Sequence, residues 1–237
     1  MLTKYGTEQV GISAEVAIGD LSGVAIADEY RRRGRPELIQ HISPALVATV
    51  NLIPKPTKHI AADQNPVDFL LEGGKTLSVK SNMKSAGKIA PQKIGQPTSS
   101  TFWEHLPDLV PKGVNIKSLS YAESAKIFKK VALSNTAELL TAYWESLFDC
   151  DHMIFVYNVV AKKNHMSSAP TVRLYGKLAS PIWKESKLTF TQNLVSWNES
   201  CTVKYDGISI GEFQVHNNRD CFKFRMNFGG LMKLGFL

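Results

Sequence analysis

The sequence predicts an α/β fold, in which a mixed central sheet flanked by helices is followed by a β-rich C-terminal part. Two short alternating segments meet at Gly73-Gly74, which is a strong hairpin signal. A continuous apolar segment, 153–160, is typical of a strand buried on both faces. Beyond about residue 165, short alternating segments replace the helical patterns. We therefore expect a core over residues 1–161 and a β-rich part over 162–237, packed on the core as one unit.

The helices are predicted from apolar spacing and capping residues. Residues 12–31 are predicted to be helical, with Ser13 as a suitable N-cap. Gly19, Ser22 and Gly23 favour a break, so this stretch fits two shorter helices as well as one. Pro44 interrupts the next apolar stretch, which fits either a helix or a helix followed by a strand. The further helical segments are 37–53, 118–132 and 135–148.

The apolar pattern of the hairpin predicts its register. Alternation places Phe69 and Leu71 on one face of the first strand, and Leu77 and Val79 on one face of the second. A two-residue loop would pair these side chains with polar ones. A three-residue loop or one bulge pairs Phe69 with Val79 and Leu71 with Leu77. Because a slip of one residue flips every side chain, we expect the second register.

In that register an acid and a lysine share the polar face, with Asp68 opposite Lys80 and Ser78 beside them. An Asp soon after Pro66, followed nine residues later by Ser-Val-Lys, resembles the PD-(D/E)xK signature of type II restriction endonucleases. The chain departs from the signature at Ser78, which stands where the family has an acid. The predicted order of elements over residues 10–161 is similar to the αβββαβ core of that superfamily.

The resemblance implies a sequence-specific, magnesium-dependent endonuclease that hydrolyses phosphodiester bonds of double-stranded DNA. Asp68 would be the principal Mg²⁺ ligand, with the backbone carbonyl of Val79 as a further ligand. Lys80 would orient or activate the attacking water and stabilise negative charge. These roles suit a hard cation held by oxygen ligands.

The missing acid requires another source of negative charge. Ser78 would act through a metal-bound water, and either Glu15 or Glu72 would supply the charge. Glu15 lies among small apolar residues, where a carboxylate is costly without a partner. It is either a metal ligand or a capping carboxylate near a helix N-terminus.

Two segments are candidates for contacting DNA. The polar stretch 81–101 is long for a plain connector, so it is either a cradle for the DNA backbone or a mobile surface loop. The segment 221–228 alternates aromatic residues and Met226 with cations and an amide, so it is either a β-ribbon for the major groove or a charged edge strand. The candidate DNA-binding residues are Lys84, Lys88, Gln92, Lys93, Gln96, Gln214, His216, Asn217, Asn218, Arg219, Lys223 and Arg225.

The charge of the chain favours a polyanionic partner. The formal net charge is +7, and the densest basic run, 31–35, either contacts phosphates or ends a helix. One alternative is a non-catalytic nucleic-acid-binding module in which Asp68 and Lys80 form a simple ion pair. Another is a nuclease-fold repair enzyme with structural rather than sequence specificity.

The cysteines, the apolar runs and the absence of other motifs indicate where the protein acts and which functions are excluded. The three cysteines are widely spaced and form no CxxC pair, which favours reduced thiols in a cytoplasm. The resemblance to restriction endonucleases implies that this cytoplasm is prokaryotic. No apolar run has the length of a membrane span. Walker, GxGxxG, HExxH and GxSxG motifs are absent. The protein would act as a monomer or a homodimer, and a restriction enzyme would be paired with a DNA methyltransferase.

Overall fold

A computed structural model describes residues 5–61, 65–91, 93–161, 165–216 and 220–237. The chain forms two compact units. The first unit comprises residues 1–89 and 148–178, and the second comprises residues 90–147 and 179–237. This division differs from the expected boundary at residue 161, because residues 90–147 group with the C-terminal strands. The α/β class predicted from the sequence is confirmed by the helices and the two sheets of the described residues.

The first unit is built on a mixed sheet with strand order β1-β2-β3-β5-β6. Strands β3 and β5 run parallel, whereas the other neighbouring strands are antiparallel. Helices α1 and α3 pack on this sheet, and their apolar faces fill the core with side chains from the strands. The elements are α1 Thr7–Ser22, α2 Asp28–Arg33, α3 Pro36–Val50, β1 Pro56–His59, β2 Phe69–Leu71, β3 Thr76–Ser81, β4 Lys88–Ile89, β5 His152–Tyr157 and β6 Thr171–Gly176.

Helix α1 begins earlier than the sequence predicted, with Gly6 as its N-cap. The prediction that Ser13 caps this helix is wrong. Ser13 is buried in the middle of α1, where its Oγ accepts a hydrogen bond from the backbone amide of Arg35 at 3.0 Å. The expected break is confirmed at Gly23, whose φ of 72° ends α1 in the left-handed conformation.

Most of the basic run at residues 31–35 lies in α2. Arg31 makes a two-pronged ion pair with Asp20 of α1, at 2.6 and 3.1 Å. Arg33 pairs with Glu8, also of α1, at 2.6 Å. These two cations therefore tie α2 to α1, as well as placing positive charge at a helix end.

The hairpin turns through residues 72–74, where Gly73 and Gly74 both have a φ of 72°. The three-residue loop is confirmed, but the expected pairs are wrong by two positions. Phe69 pairs with Leu77 and Leu70 with Thr76, so Asp68 lies across from Ser78 instead of Lys80. A shift of two residues keeps every side chain on its predicted face.

The second unit combines helices with an antiparallel sheet whose strands run in the order β10-β9-β8-β7. Its core is aromatic: Phe128 stacks on Phe222 with ring centroids 4.4 Å apart and meets Phe102 edge to face at 5.0 Å. None of the described helices is long and apolar enough to cross a membrane. The elements are α4 Ser99–His105, α5 Tyr121–Ser134, α6 Thr136–Leu147, β7 Leu188–Phe190, β8 Ser200–Tyr205, β9 Ile208–His216, β10 Cys221–Asn227 and α7 Phe228–Lys233.

Candidate active site

Asp68 lies directly before β2 and is almost completely buried, with 4% of its surface exposed. Its backbone amide donates to the Leu77 carbonyl at 2.9 Å, which fixes it against β3. Its Oδ2 accepts a hydrogen bond from the Val79 amide at 2.5 Å and lies 3.4 Å from the Ser78 hydroxyl. The Ser78 hydroxyl also donates to the Pro66 carbonyl at 2.9 Å. The carboxylate is therefore held by the neighbouring strand.

Lys80 lies on the same face of β3 as Ser78, two residues further along the strand. Burial is the main influence on Asp68, and it raises the pKa of this carboxyl. The charge of Lys80 lowers that pKa, while the charge of Glu15 raises it, and the result is a pKa raised from 3.8 to about 6. The three ionisable groups predicted from the sequence are thus near enough to act on each other.

Glu15 projects from α1 into this region and is buried, with 8% of its side chain exposed. Its Oε2 accepts a hydrogen bond from the Tyr30 hydroxyl at 2.7 Å and lies 3.0 Å from His59 Nε2. Sequence reasoning missed Tyr30 and His59. No local pattern marks them, because they come from α2 and from the end of β1 and meet Glu15 only in the folded chain.

Glu72 is not part of this group of side chains. It is exposed in the hairpin turn, four residues from Asp68, which is about 13 Å along an extended chain. The expectation that Glu72 could supply the missing charge is therefore corrected, and Glu15 is the carboxylate that lies near Asp68. The turn end of the hairpin carries a separate ion pair, Lys75 with Asp151 at 2.9 Å.

Cys150 has its thiol near the same residues. Burial raises the pKa of Cys150 to about 11, and the charge of Lys80 and a backbone hydrogen bond from Ser78 only partly oppose that rise. A thiol with so high a pKa stays protonated at neutral pH and is a poor nucleophile. The groups of this site that are available for chemistry at neutral pH are therefore its carboxylates and the lysine, and not this thiol.

The donor set fits a hard cation only in part. Mg²⁺ is commonly held by one or two carboxylates with waters completing its shell, and Asp68 and Glu15 offer two buried carboxylates. Burial is the main cause of the raised pKa of Asp68, and the charge of a bound cation would oppose that rise. In the part of the chain that is described, no three His, Cys, Asp or Glu side chains converge as a metal-binding group.

The predicted DNA-binding strands of the second unit share a polar face. Lys223 pairs with Gln214 across β9 and β10, and Arg225 pairs with Glu212. Glu212 was missed by sequence reasoning and is buried. Its Oε1 accepts from Gln214 Nε2 and from Arg225 Nη2, each at 2.6 Å. Both side chains are thus held in place by one carboxylate.

The other predicted DNA-binding residues are placed as follows. Lys84, Lys93 and Gln96 are exposed, and Lys88 is half-buried in β4. His216 ends β9 opposite Cys221. Asn227, the amide of the segment 221–228, lies on the same face of β10 as Lys223 and Arg225 and also caps α7 by accepting from the Gly230 amide at 3.3 Å. Outside the described residues lie Gln92, Asn217, Asn218 and Arg219.

Comparison with known proteins finds one similarity that extends along the chain. The chain is 30% identical, over 237 aligned residues and 96% of its length, to the type II restriction enzyme CviAII of Paramecium bursaria Chlorella virus 1. It spans 60% of the length of that relative. No protein-family model and no solved structure matches the chain. The chain is therefore similar to a type II restriction enzyme through nearly all of its own sequence.

Proposed function

We propose that this chain is a type II restriction endonuclease that hydrolyses phosphodiester bonds of double-stranded DNA at a specific sequence with Mg²⁺. One observation carries the proposal. Asp68 is buried beside Ser78 on a sheet face that also bears Lys80, within the electrostatic influence of Glu15. The similarity to a type II restriction enzyme supports the same activity independently.

Asp68 and Glu15 would hold Mg²⁺, with the backbone carbonyl of Val79 as a further ligand. When bound, the cation supplies a charge that stabilises phosphoryl oxygens and lowers the pKa of a coordinated water. Ser78 contributes no charge, and its hydroxyl is directed to the Pro66 carbonyl and towards Asp68. The site therefore depends on Glu15 for the negative charge that the motif position lacks.

Lys80 serves the reaction through its charge and its position. It lies on the polar face within range of the Asp68 carboxylate, whose pKa it lowers. A cation held there attracts a phosphate oxygen and orients a water by hydrogen bonding.

The polar face of β9 and β10 in the second unit would read bases. Arg and Gln side chains pair with guanine and adenine edges, and Glu212 already holds Arg225 and Gln214 in defined positions. Lys223 and His216 would contribute to the same face. The remaining candidates, Asn217, Asn218 and Arg219, follow β9 in the sequence and lie outside the described residues. In the 81–101 segment Lys84, Lys88, Gln92, Lys93 and Gln96 would contact the DNA backbone.

One digest tests the proposal. Purified protein is incubated with a sequenced plasmid in Mg²⁺, with an EDTA reaction alongside, and the products are separated on a gel. Discrete bands that depend on Mg²⁺ are expected. Retarded but uncut DNA would favour the non-catalytic binding module, and smears or junction-dependent cuts would favour a repair enzyme.

Two substitutions then test the site itself. Asp68→Ala and Lys80→Ala should each abolish cleavage while DNA binding, measured by fluorescence anisotropy, stays largely intact. Lys75→Ala is the matched control, because it removes a lysine from the same hairpin at its turn end. Near-normal cleavage by either site variant would refute the assignment. A cytoplasmic prokaryotic location, a homodimer and a partner DNA methyltransferase are further parts of the proposal.

A further inference from the structure

The two hydrogen bonds to Glu15 converge on one oxygen atom. The Tyr30 hydroxyl donates to Oε2 at 2.7 Å, and His59 Nε2 lies 3.0 Å from the same atom. Since an ionised carboxylate only accepts, the Nε2 of His59 carries the hydrogen in this contact. Of the described residues, none donates a hydrogen bond to Oε1 of Glu15. Within the described part of the chain, the carboxylate is thus anchored at Oε2 alone.

The anchor is rigid because its members are packed on each other. The His59 ring lies edge-on to Tyr30 at a centroid distance of 4.7 Å and is tilted against Phe69 at 4.9 Å. His59 is 8% exposed, and Phe69 is fully buried and follows Asp68 directly. A change in the position of His59 would therefore disturb both the Glu15 carboxylate and the strand that carries Asp68.

We propose that Tyr30 and His59 are positioning residues, which hold Glu15 by Oε2 and leave Oε1 to bind the divalent cation. This inference rests on the proposed function, since it concerns the same cation site. A glutamate on a helix among small apolar side chains has several accessible rotamers, and two donors on one oxygen select one of them. Outer partners of this kind are known to raise metal affinity by fixing the orientation of a ligand.

The test measures binding of Mn²⁺ alone, by electron paramagnetic resonance of the free ion, without DNA. Tyr30→Phe and His59→Leu should each raise the Kd for Mn²⁺ by about 10-fold or more. His59→Gln places an amide donor near the position of Nε2 and should restore most of the affinity. Tyr5→Phe is the matched control, because it removes a tyrosine hydroxyl near another glutamate, Glu37, in the same unit.

Cleavage kinetics add a second readout. At saturating Mg²⁺ the Tyr30→Phe variant should recover most of the wild-type kcat, with the loss confined to the Mg²⁺ concentration needed for half-maximal rate. Circular dichroism melts establish that each variant is folded. His59→Gln and His59→Leu change the same position, so their difference remains informative even if Tyr30→Phe does not fold.

The outcomes separate the two proposals. If the wild type neither binds Mn²⁺ nor cleaves DNA, the proposed function fails. If the wild type does both, but Tyr30→Phe and His59→Leu bind Mn²⁺ as tightly as it does, only the positioning role is overturned. Equal weakening by His59→Gln and His59→Leu would also contradict it, since the donated hydrogen bond would then not matter.

Discussion

Replacing Asp68 by asparagine should make the metal-free protein more stable at neutral pH. Burial raises the pKa of Asp68 from 3.8 to about 6, so the folded protein favours the neutral carboxyl over the carboxylate. The stability contributed by the neutral form is present in full below about pH 4 and is lost as pH rises through about 6. This loss amounts to about 3 kcal/mol at pH 7 to 8, on the relation between pKa and free energy.

An asparagine removes the ionisation and keeps an oxygen that can accept the Val79 amide. Asp68→Asn should therefore gain about 2 to 3 kcal/mol over the wild type at pH 8, and the gain should vanish near pH 4. Urea unfolding in EDTA at pH values from 4 to 8 measures the difference. A variant no more stable than the wild type at pH 8, or a gap that widens as pH falls, would refute the reasoning.

Asp151 provides a control of opposite sign. Its hydrogen bond with Lys75 and those with Thr76 lower the pKa of Asp151 to about 2. The stability contributed by this ionised carboxylate is present above pH 4 and is lost as pH falls through about 2. Asp151→Asn should consequently destabilise the protein at pH 8. Adding Mg²⁺ should narrow the gap for Asp68→Asn alone, because ligand binding stabilises only a protein that can bind it.

Three further predictions concern the second unit. Lys223→Ala should weaken binding to the recognised DNA sequence, measured by anisotropy, by about 1 to 3 kcal/mol and relax the preference for that sequence, because Lys223 lies on the face that would read bases. Arg225→Ala should lower affinity and also destabilise the protein by about 1 to 2 kcal/mol, because buried Glu212 loses a charged donor at 2.6 Å. If Arg225→Ala unfolds at the wild-type urea midpoint, the anchoring by Glu212 is unimportant for stability. Phe128→Ala should cost about 3 to 5 kcal/mol in urea unfolding, since it empties the centre of the aromatic core; a cost below about 1 kcal/mol would contradict this.

The hairpin shows how far a local pattern can specify a register. Alternation places Phe69, Leu77 and Val79 on one face of the hairpin, and the structure has them on the same face. Registers that differ by two residues place every side chain on the same face, so the apolar pattern cannot distinguish them. The choice is made by the turn, where Gly73 and Gly74 both take a positive φ and close the loop at residues 72–74. That choice places Ser78, instead of Lys80, opposite Asp68.

The neighbours of each strand and the grouping of segments into units could not be predicted from the sequence either, because local patterns do not specify long-range partners. The apolar segment at 153–160 predicted a buried strand, and β5 is indeed buried, but nothing in it specifies β3 as its parallel neighbour. Residues 90–147 carry clear helical patterns, yet their grouping with the C-terminal strands depends on which apolar faces meet. Ser13 illustrates the same limit on a small scale, since a serine before an apolar run resembles a cap until Arg35 is found to donate to it.

In the candidate site, too, residues close in sequence could be predicted, whereas residues brought together by the fold could not. Asp68, Ser78 and Lys80 are near in sequence and share one hairpin, so strand periodicity sufficed to place them on one face. Glu15 was identified from the cost of a carboxylate among small apolar neighbours, and the structure shows the donors that offset that cost. Tyr30 and His59 could not be predicted, because each is unremarkable in its own segment. The proposed cation site lacks one acid of the motif, so we expect its metal affinity to be sensitive to substitutions among α1, α2 and β1 that leave the motif itself unchanged.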